Sequence, residues 1–330
     1  MELRRLGTTD LHITPVGYGA WAIGGAGWAF AWGPQDDGES IAAIRHAVDS
    51  GVNWIDTAAI YGLGHSEEVV ARALAGIPEA DRPYVFTKCG LEPDPTDPLK
   101  PNRRVGRPDA LRKGIDDSLR RLGVERIDLM QMHWPADDVP LEEYWQVLVD
   151  AKAAGKLRVI GLSNHDAEQL GRAEAIGHVD TLQPPFSLIR RDAAATVLPW
   201  CAAHDTGVIV YSPMQSGLLT GAFDRARVEA LPEDDWRRRN PEFTTNLDAN
   251  LALVEVLRSV AGRLGTTPGV VAIAWTLAFP AVTGAIVGAR RPEQVDGWLD
   301  AGTLRLDGQT LRELEAGLRR IGAGTGPSRP

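Results

Sequence analysis

Apolar residues along this chain follow two alternating patterns. Short, nearly continuous apolar runs are closed by turn residues, and longer stretches between them carry apolar side chains every three or four positions. The short runs read as strands buried on both faces, and the longer stretches read as amphipathic helices. The strands predicted this way are Val16–Gly19, Trp54–Asp56, Val85–Lys88, Leu129–His133, Val159–Ser163, Thr181–Gln183, Val208–Tyr211 and Ala285–Val287. The helices between and after them are Glu39–Ser50, Ser66–Leu74, Pro108–Leu122, Leu141–Ala154, Asp166–Ile176, Asp192–His204, Leu247–Leu264, Pro268–Ala278, Pro292–Asp300 and Gly308–Ile321. Ser66, followed by Glu67 and Glu68, fits a helix start, while Gly51 and Gly155 fit positions just past a last turn. The opening "ELRRLGTTDLHI" reads as a hairpin turning at Gly7–Asp10. Eight strands separated by helices predict a (β/α)8 TIM barrel with an N-terminal β-hairpin, one domain over residues 1–330. Three long insertions interrupt the rhythm, at 24–34, 90–107 and 222–245. Loops of that length in a compact domain are often functional.

Composition narrows the class. With 330 residues, 44% hydrophobic and 24% charged, the chain reads as an ordinary globular protein. A net charge of −9 gives no support to nucleic-acid or membrane-surface binding. The two cysteines, Cys89 and Cys201, build neither a disulfide framework nor a metal site. No signal-like or membrane-spanning run is visible, so the expectation is a soluble cytoplasmic protein that needs no metal. One nucleotide motif is misleading. Residues 17–22, GYGAWA, match the dinucleotide fingerprint, but no helix opens after them, and a barrel strand followed by a loop is the better reading.

Chemistry collects at successive strand ends. "NWIDTAAIYG" carries Asp56 and Tyr61, Lys88 follows 32 positions after Asp56, and His133 follows 45 after Lys88. Each alone has a bland reading: a cap, a loop anchor, a snorkelling lysine, a hydrogen-bonded core histidine. In a barrel, however, strand C-termini share one mouth, and that brings the four together. A lysine ammonium would lower the phenol pKa, a carboxylate would orient the lysine, and a histidine could orient a carbonyl oxygen. Such a set protonates a developing alkoxide and needs only a hydride donor.

At these residues the chain resembles the aldo-keto reductases, whose catalytic tetrad Asp56, Tyr61, Lys88 and His133 match. "GVNWIDTAAIYG", "GHSEEVVARAL", "VIGLSNH", "YSPMQSGLLTG" and "VGARRPEQV" resemble that family's motifs in order. The resemblance implies reduction of an aldehyde or ketone with NADPH, NADH being possible, bound across the barrel mouth. It implies that Ser163, Asn164 and Gln183 hold the nicotinamide carboxamide and that Tyr211 stacks on the ring. Ser212, Met214, Gly217 and Leu218 would line the pyrophosphate, and Gly288 and Ala289 would turn near the adenosine phosphate. Arg290 would meet the 2′-phosphate and Gln294 the adenine, with Arg291 the alternative cation. The family's usual asparagine near the adenine is absent, because Trp298 stands there. Phe186 replaces a commoner tyrosine, and Met214 a commoner leucine.

Ten tryptophans are many, and Trp21 and Trp134 are expected in an aromatic pocket for an apolar carbonyl. For Trp28 and Trp32, a loop-stapling role is an equal reading. Two rivals remain. One is a Schiff-base lyase through Lys88, which a neighbouring carboxylate disfavours. The other is a nucleotide-binding regulatory protein of the same family with little turnover. Oligomeric state is not legible.

Overall fold

The structure is a computed structural model describing residues 1–233 and 235–330. Eight parallel strands form a closed barrel in chain order: Val16–Gly19, Trp54–Asp56, Tyr84–Cys89, Ile127–Met132, Leu157–Ser163, Thr181–Gln183, Gly207–Val210 and Gly284–Gly288. Closure pairs the last strand with the first, from Ala285 opposite Val16 to Gly288 opposite Gly19. The predicted barrel is therefore present, with small shifts at the strand ends. The fourth strand stops at Met132 and the seventh at Val210, so His133 and Tyr211 begin loops.

The N-terminal hairpin, Arg4–Arg5 paired with His12–Ile13, closes the barrel's lower end. Its Leu6, Leu11 and Ile13 pack with Trp54, Phe86, Leu129, Val159, Ile209 and Ile286 into an apolar layer. Gly17 belongs to that packing: a Cβ there would lie 2.1 Å from the Trp54 ring. The fingerprint-like glycine thus makes room for an indole, and only a 3-10 turn, Trp21–Ile23, follows the strand.

The helices form the outer layer. Pro108–Leu122, Leu247–Leu264 and Gly308–Ile321 have the predicted limits. The span Asp192–His204 divides into a 3-10 turn, Asp192–Ala195, and a helix, Val197–Ala203. Pro199 explains the break, since a proline is tolerated only in a first turn and the helix restarts just ahead of it. Ser66 does not cap its helix. The helix begins at His65 with left-handed Gly64 as cap, and the buried Ser66 hydroxyl donates to Ala20 O at 2.9 Å and meets Thr57 Oγ1 at 2.9 Å.

The three insertions lie on the mouth side. Loop 90–107 contains a small ribbon, Leu91–Glu92 with Arg103–Arg104, and joins loop 24–34 through Ala29 N to Pro98 O at 2.8 Å. Loop 222–245 contains a short helix, Arg225–Glu229, and 3-10 turns at Trp236–Arg239 and Pro241–Phe243. Among the described residues no helix is long and apolar enough to cross a membrane.

Candidate active site

Asp56 ends the second strand and Lys88 lies one residue short of the end of the third, and both are buried, 3% and 1% exposed. Lys88 Nζ donates to Asp56 Oδ1 at 2.5 Å, to Thr57 O at 2.9 Å and to Tyr61 OH at 3.5 Å. Burial pushes the lysine pKa down and the carboxyl pKa up, and their mutual contact opposes both shifts. Three acceptors around one nitrogen match the three donors of an ammonium and leave nothing for an amine lone pair. Those three contacts favour the ammonium over the free amine that a Schiff base needs.

Tyr61 arrives from the loop after the second strand. That loop stays tied to the third strand, with Thr57 N donating to Phe86 O at 2.8 Å and Ala59 N to Lys88 O at 3.2 Å. It also presses on loop 24–34. Gly62 has φ 61°, and a Cβ on it would stand 2.1 Å from Gly24 O, so only glycine permits this approach. One expectation needs correction. The phenol pKa is not lowered: burial first, then the Asp56 charge, pushes it well above its usual value. Tyr61 is thus held as the proton-bearing phenol.

His133 completes the group. Its backbone N donates to Cys89 O at 3.0 Å, and its ring meets the Tyr61 ring edge-on at 5.8 Å. Burial, then Lys88, pushes its pKa well below the usual imidazole value, so the ring is neutral. Nδ1 is buried without a hydrogen-bond partner among the described residues.

The proposed carboxamide residues are bonded to one another. Ser163 Oγ donates to Gln183 O at 2.9 Å, and Asn164 Nδ2 donates to His133 O at 2.9 Å and to Ser163 Oγ at 3.0 Å. Tyr211 OH donates to Asn164 Oδ1 at 2.7 Å. Gln183 turns its amide inward, with Nε2 on Asp56 Oδ2 at 2.9 Å and on Gln131 Oε1 at 2.7 Å.

After the seventh strand, Ser212, Gln215, Ser216 and Gly217 all have left-handed backbones, at φ 56°, 45°, 54° and 91°. The N–H groups of Ser216 and Gly217 have no protein acceptor among the described residues. Such a run of turned peptides presents donors to an anion. Met214 packs half-buried toward Gly269, and Leu218 is buried, so its side chain belongs to the core. Gly288 is exposed, with only Gly19 O within reach of an added Cβ, at 3.5 Å. Ala289 is buried, its carbonyl accepting from Tyr18 OH at 2.6 Å.

Arg290 is engaged elsewhere. Its guanidinium donates to Gln35 Oε1 at 2.5 Å, to Trp32 O at 3.3 Å and to Pro34 O, clasping the end of loop 24–34. Gln294 Oε1 accepts from Arg290 N at 2.7 Å. The Arg291 guanidinium has no partner among the described residues, so it is the cation that remains available. Trp298 is buried in the main core.

The aromatic wall differs from the expected one. Trp21 stacks near Tyr61 at 6.3 Å, and Trp28 lies 5.9 Å from it. Trp236, which sequence reasoning missed, stacks on Trp21 at 5.6 Å and meets Trp32 at 5.7 Å. Its only signal was an indole inside a long insertion. Trp134 sits apart under the Arg104 guanidinium and lines a cleft of about 270 Å³ with Asn164, Pro184 and Arg190.

Comparison with known proteins agrees with this geometry. The model of the aldo/keto reductase family matches residues 15–318. The chain is 34% identical to aldo-keto reductase YhdN of Bacillus subtilis, covering 90% of this chain and 87% of that one. It is 33% identical to the NADH-specific methylglyoxal reductase of Escherichia coli, covering 96% and 98%. The glycerol dehydrogenase AKR11B4 of Gluconobacter oxydans superposes with a TM-score of 0.89 at 36% identity, covering 99% of this chain and 98% of that one. The chain is an oxidoreductase. With its barrel, its strand-end tetrad and a family match over nearly its whole length, this chain belongs to the aldo/keto reductase family.

Proposed function

We propose that this chain reduces a compact aldehyde or ketone to the alcohol, with Tyr61 giving the proton. The observation that carries this reading is the Lys88 ammonium, bonded to Asp56 and Thr57 O and reaching Tyr61 OH at 3.5 Å. The phenol proton passes to the carbonyl oxygen as a hydride reaches the carbonyl carbon, and the phenolate left behind faces the ammonium. A buried neutral His133 beside the ring can donate one N–H to the same oxygen and orient it. Trp21 and Trp28 exclude water from that point. Their closeness to Tyr61 suits a compact substrate, as do the names of the methylglyoxal reductase and glycerol dehydrogenase relatives.

Nicotinamide nucleotide supplies the hydride when bound. The residues present fit it: the free N–H groups of Ser216 and Gly217 suit a pyrophosphate, and exposed Gly288 permits close backbone approach. Tyr211, Ser163 and Asn164, with the remaining Oε1 of Gln183, would take the ring and its carboxamide, since both hydrogens of the Gln183 amide are engaged inward. The preferred form is NADPH. Arg291 is the free cation beside the eighth-strand turn, while Arg290 holds the loop. One relative is NADH-specific, so this preference belongs to the chain's own arginines.

The test pairs two measurements. Carbonyl-dependent NADPH oxidation in Tyr61→Phe should fall by about 10²–10⁴-fold, while nucleotide binding by fluorescence titration stays unchanged. Near wild-type turnover would remove Tyr61 from the role. A wild type that binds nucleotide but turns over no carbonyl would favour a regulatory protein. In the same titrations Arg291→Ala should weaken NADPH by about 10–100-fold and leave NADH alone.

A further inference from the structure

The tetrad leaves one buried amide unexplained. Gln131, on the fourth strand two residues before His133, is 0% exposed. Its Oε1 accepts from Gln183 Nε2 at 2.7 Å, and its Nε2 donates to Thr181 Oγ1 at 3.1 Å. Gln183 Nε2 spends its other hydrogen on Asp56 Oδ2 at 2.9 Å. A continuous hydrogen-bonded chain therefore runs Thr181–Gln131–Gln183–Asp56–Lys88–Tyr61 above the apolar layer that fills the lower barrel. The fifth strand makes room for it: a Cβ on Gly161 would lie 2.0 Å from Thr181 Oγ1 and 3.2 Å from Gln131 Cγ. A polar side chain at this depth is costly unless it is paired, and both amides find partners within this chain.

The chain has a direction. Asp56 as carboxylate only accepts, so it draws the N–H side of Gln183 toward itself. The second hydrogen of that amide then needs an acceptor, and Gln131 Oε1 supplies it. With both hydrogens engaged, the amide cannot turn over without setting its oxygen against two others.

We infer that Gln131 is a positioning residue for the reductase site, holding the Gln183 amide so that the Asp56 carboxylate stays fixed against Lys88. The inference rests on the carbonyl-reducing reading of the tetrad. The charged and titratable groups around Asp56 are Lys88 from the third strand and Tyr61 from its own loop. His133 lies beyond Lys88, and the charge of Glu67, on the outer face of the third strand, acts on Lys88 from behind. Gln131→Met alters none of them.

The test uses Gln131→Met, which keeps length and removes the acceptor, and Thr181→Val, which removes only the far end of the chain. The Asp56 carboxyl is titrated by ¹³C NMR in the nucleotide-free protein, and the acid limb of kcat/KM is followed for carbonyl reduction. A loosened donor should let the Asp56 pKa rise by about half a unit in Gln131→Met, part of what a full charged hydrogen bond contributes. Thr181→Val should move it less. The acid limb should follow, with kcat lowered and KM kept. Added to Asp56→Asn, Gln131→Met should cost nothing further, because it acts through Asp56. An unmoved Asp56 titration, or losses that add, would overturn the role. The NMR measurement needs no turnover, so a wild type inactive on carbonyls would strike the functional reading, whereas an unmoved titration strikes Gln131 alone. If Gln131→Met does not fold, Thr181→Val carries the same measurement.

Discussion

Two buried ion pairs stand back to back across the third barrel strand. Lys88 points inward to Asp56 at 2.5 Å, and its neighbour Thr87 points outward, donating to Glu67 Oε1 at 2.6 Å. Glu67 in turn accepts from Arg121 Nε at 2.6 Å, joining helices His65–Leu74 and Pro108–Leu122 over the strand. Both pairs bear the cost of taking charges out of water. They differ in what else the cation touches. Arg121 also donates to Ser118 and closes on itself as a brace. Lys88 has one donor aimed at a phenol at the mouth. The same physical device serves as a structural clamp outside the barrel and as part of the proposed reactive centre inside it.

Substitution should separate the two roles. Lys88→Met should lower carbonyl reduction by about 10²–10⁴-fold, since the phenolate formed at Tyr61 loses its counter-charge. Stability should fall less than in the outer pair, because burial already pushes Asp56 toward the neutral acid that remains. Steady-state kinetics beside a urea melt measures both. Arg121→Met should do the reverse. It leaves the fully buried Glu67 without its cation, at a cost of about 3–5 kcal/mol in the same melt. The folded fraction should reduce carbonyls within a few-fold of wild type. A catalytic collapse in the Arg121 variant at low temperature would erase the distinction.

Asp56→Asn should be milder than Lys88→Met, a loss of about tenfold. The asparagine oxygen can still accept from Lys88, but its amide meets the Gln183 N–H, donor against donor. A loss exceeding that of Lys88→Met would give Asp56 a direct part in proton transfer. The smallest expected effect is that of pH. The phenol pKa is raised, so Tyr61 keeps its proton to higher pH, and the His133 pKa is lowered, so its ring stays neutral. Reduction should therefore be level between about pH 7 and 9, and alcohol oxidation, which needs the phenolate, should rise across that range. A basic limb for reduction inside that window would mean that Lys88 overrides burial.

The tetrad is legible because each member lies at the end of a strand or in the loop after it, and a barrel sends all such positions to one face. The Rossmann-like glycines read as a barrel strand for the same kind of reason, since no helix follows them. The roles of Arg290 and Gln183 were less legible. Residue type and motif position marked both as ligand contacts, but the partners each side chain takes lie 255 and 127 positions away. Trp236 was missed because nothing local in a long insertion says which strand end it will cover. The direction of the Tyr61 shift is opposite to the one its motif suggests, because neighbouring charge can be guessed from a motif, whereas depth of burial cannot.

What the sequence by itself determined is the alternation of strands and helices, and with it the barrel and the shared mouth that gathers Asp56, Tyr61, Lys88 and His133. Periodicity and turn chemistry are local, so they survive in a linear reading. Only the tertiary structure decided which cation is spent and which is free, which indoles close on the phenol, and that an inward chain of amides holds the carboxylate. Those depend on burial and on hydrogen bonds between residues remote in sequence, and such partners are chosen only once the chain has closed on itself.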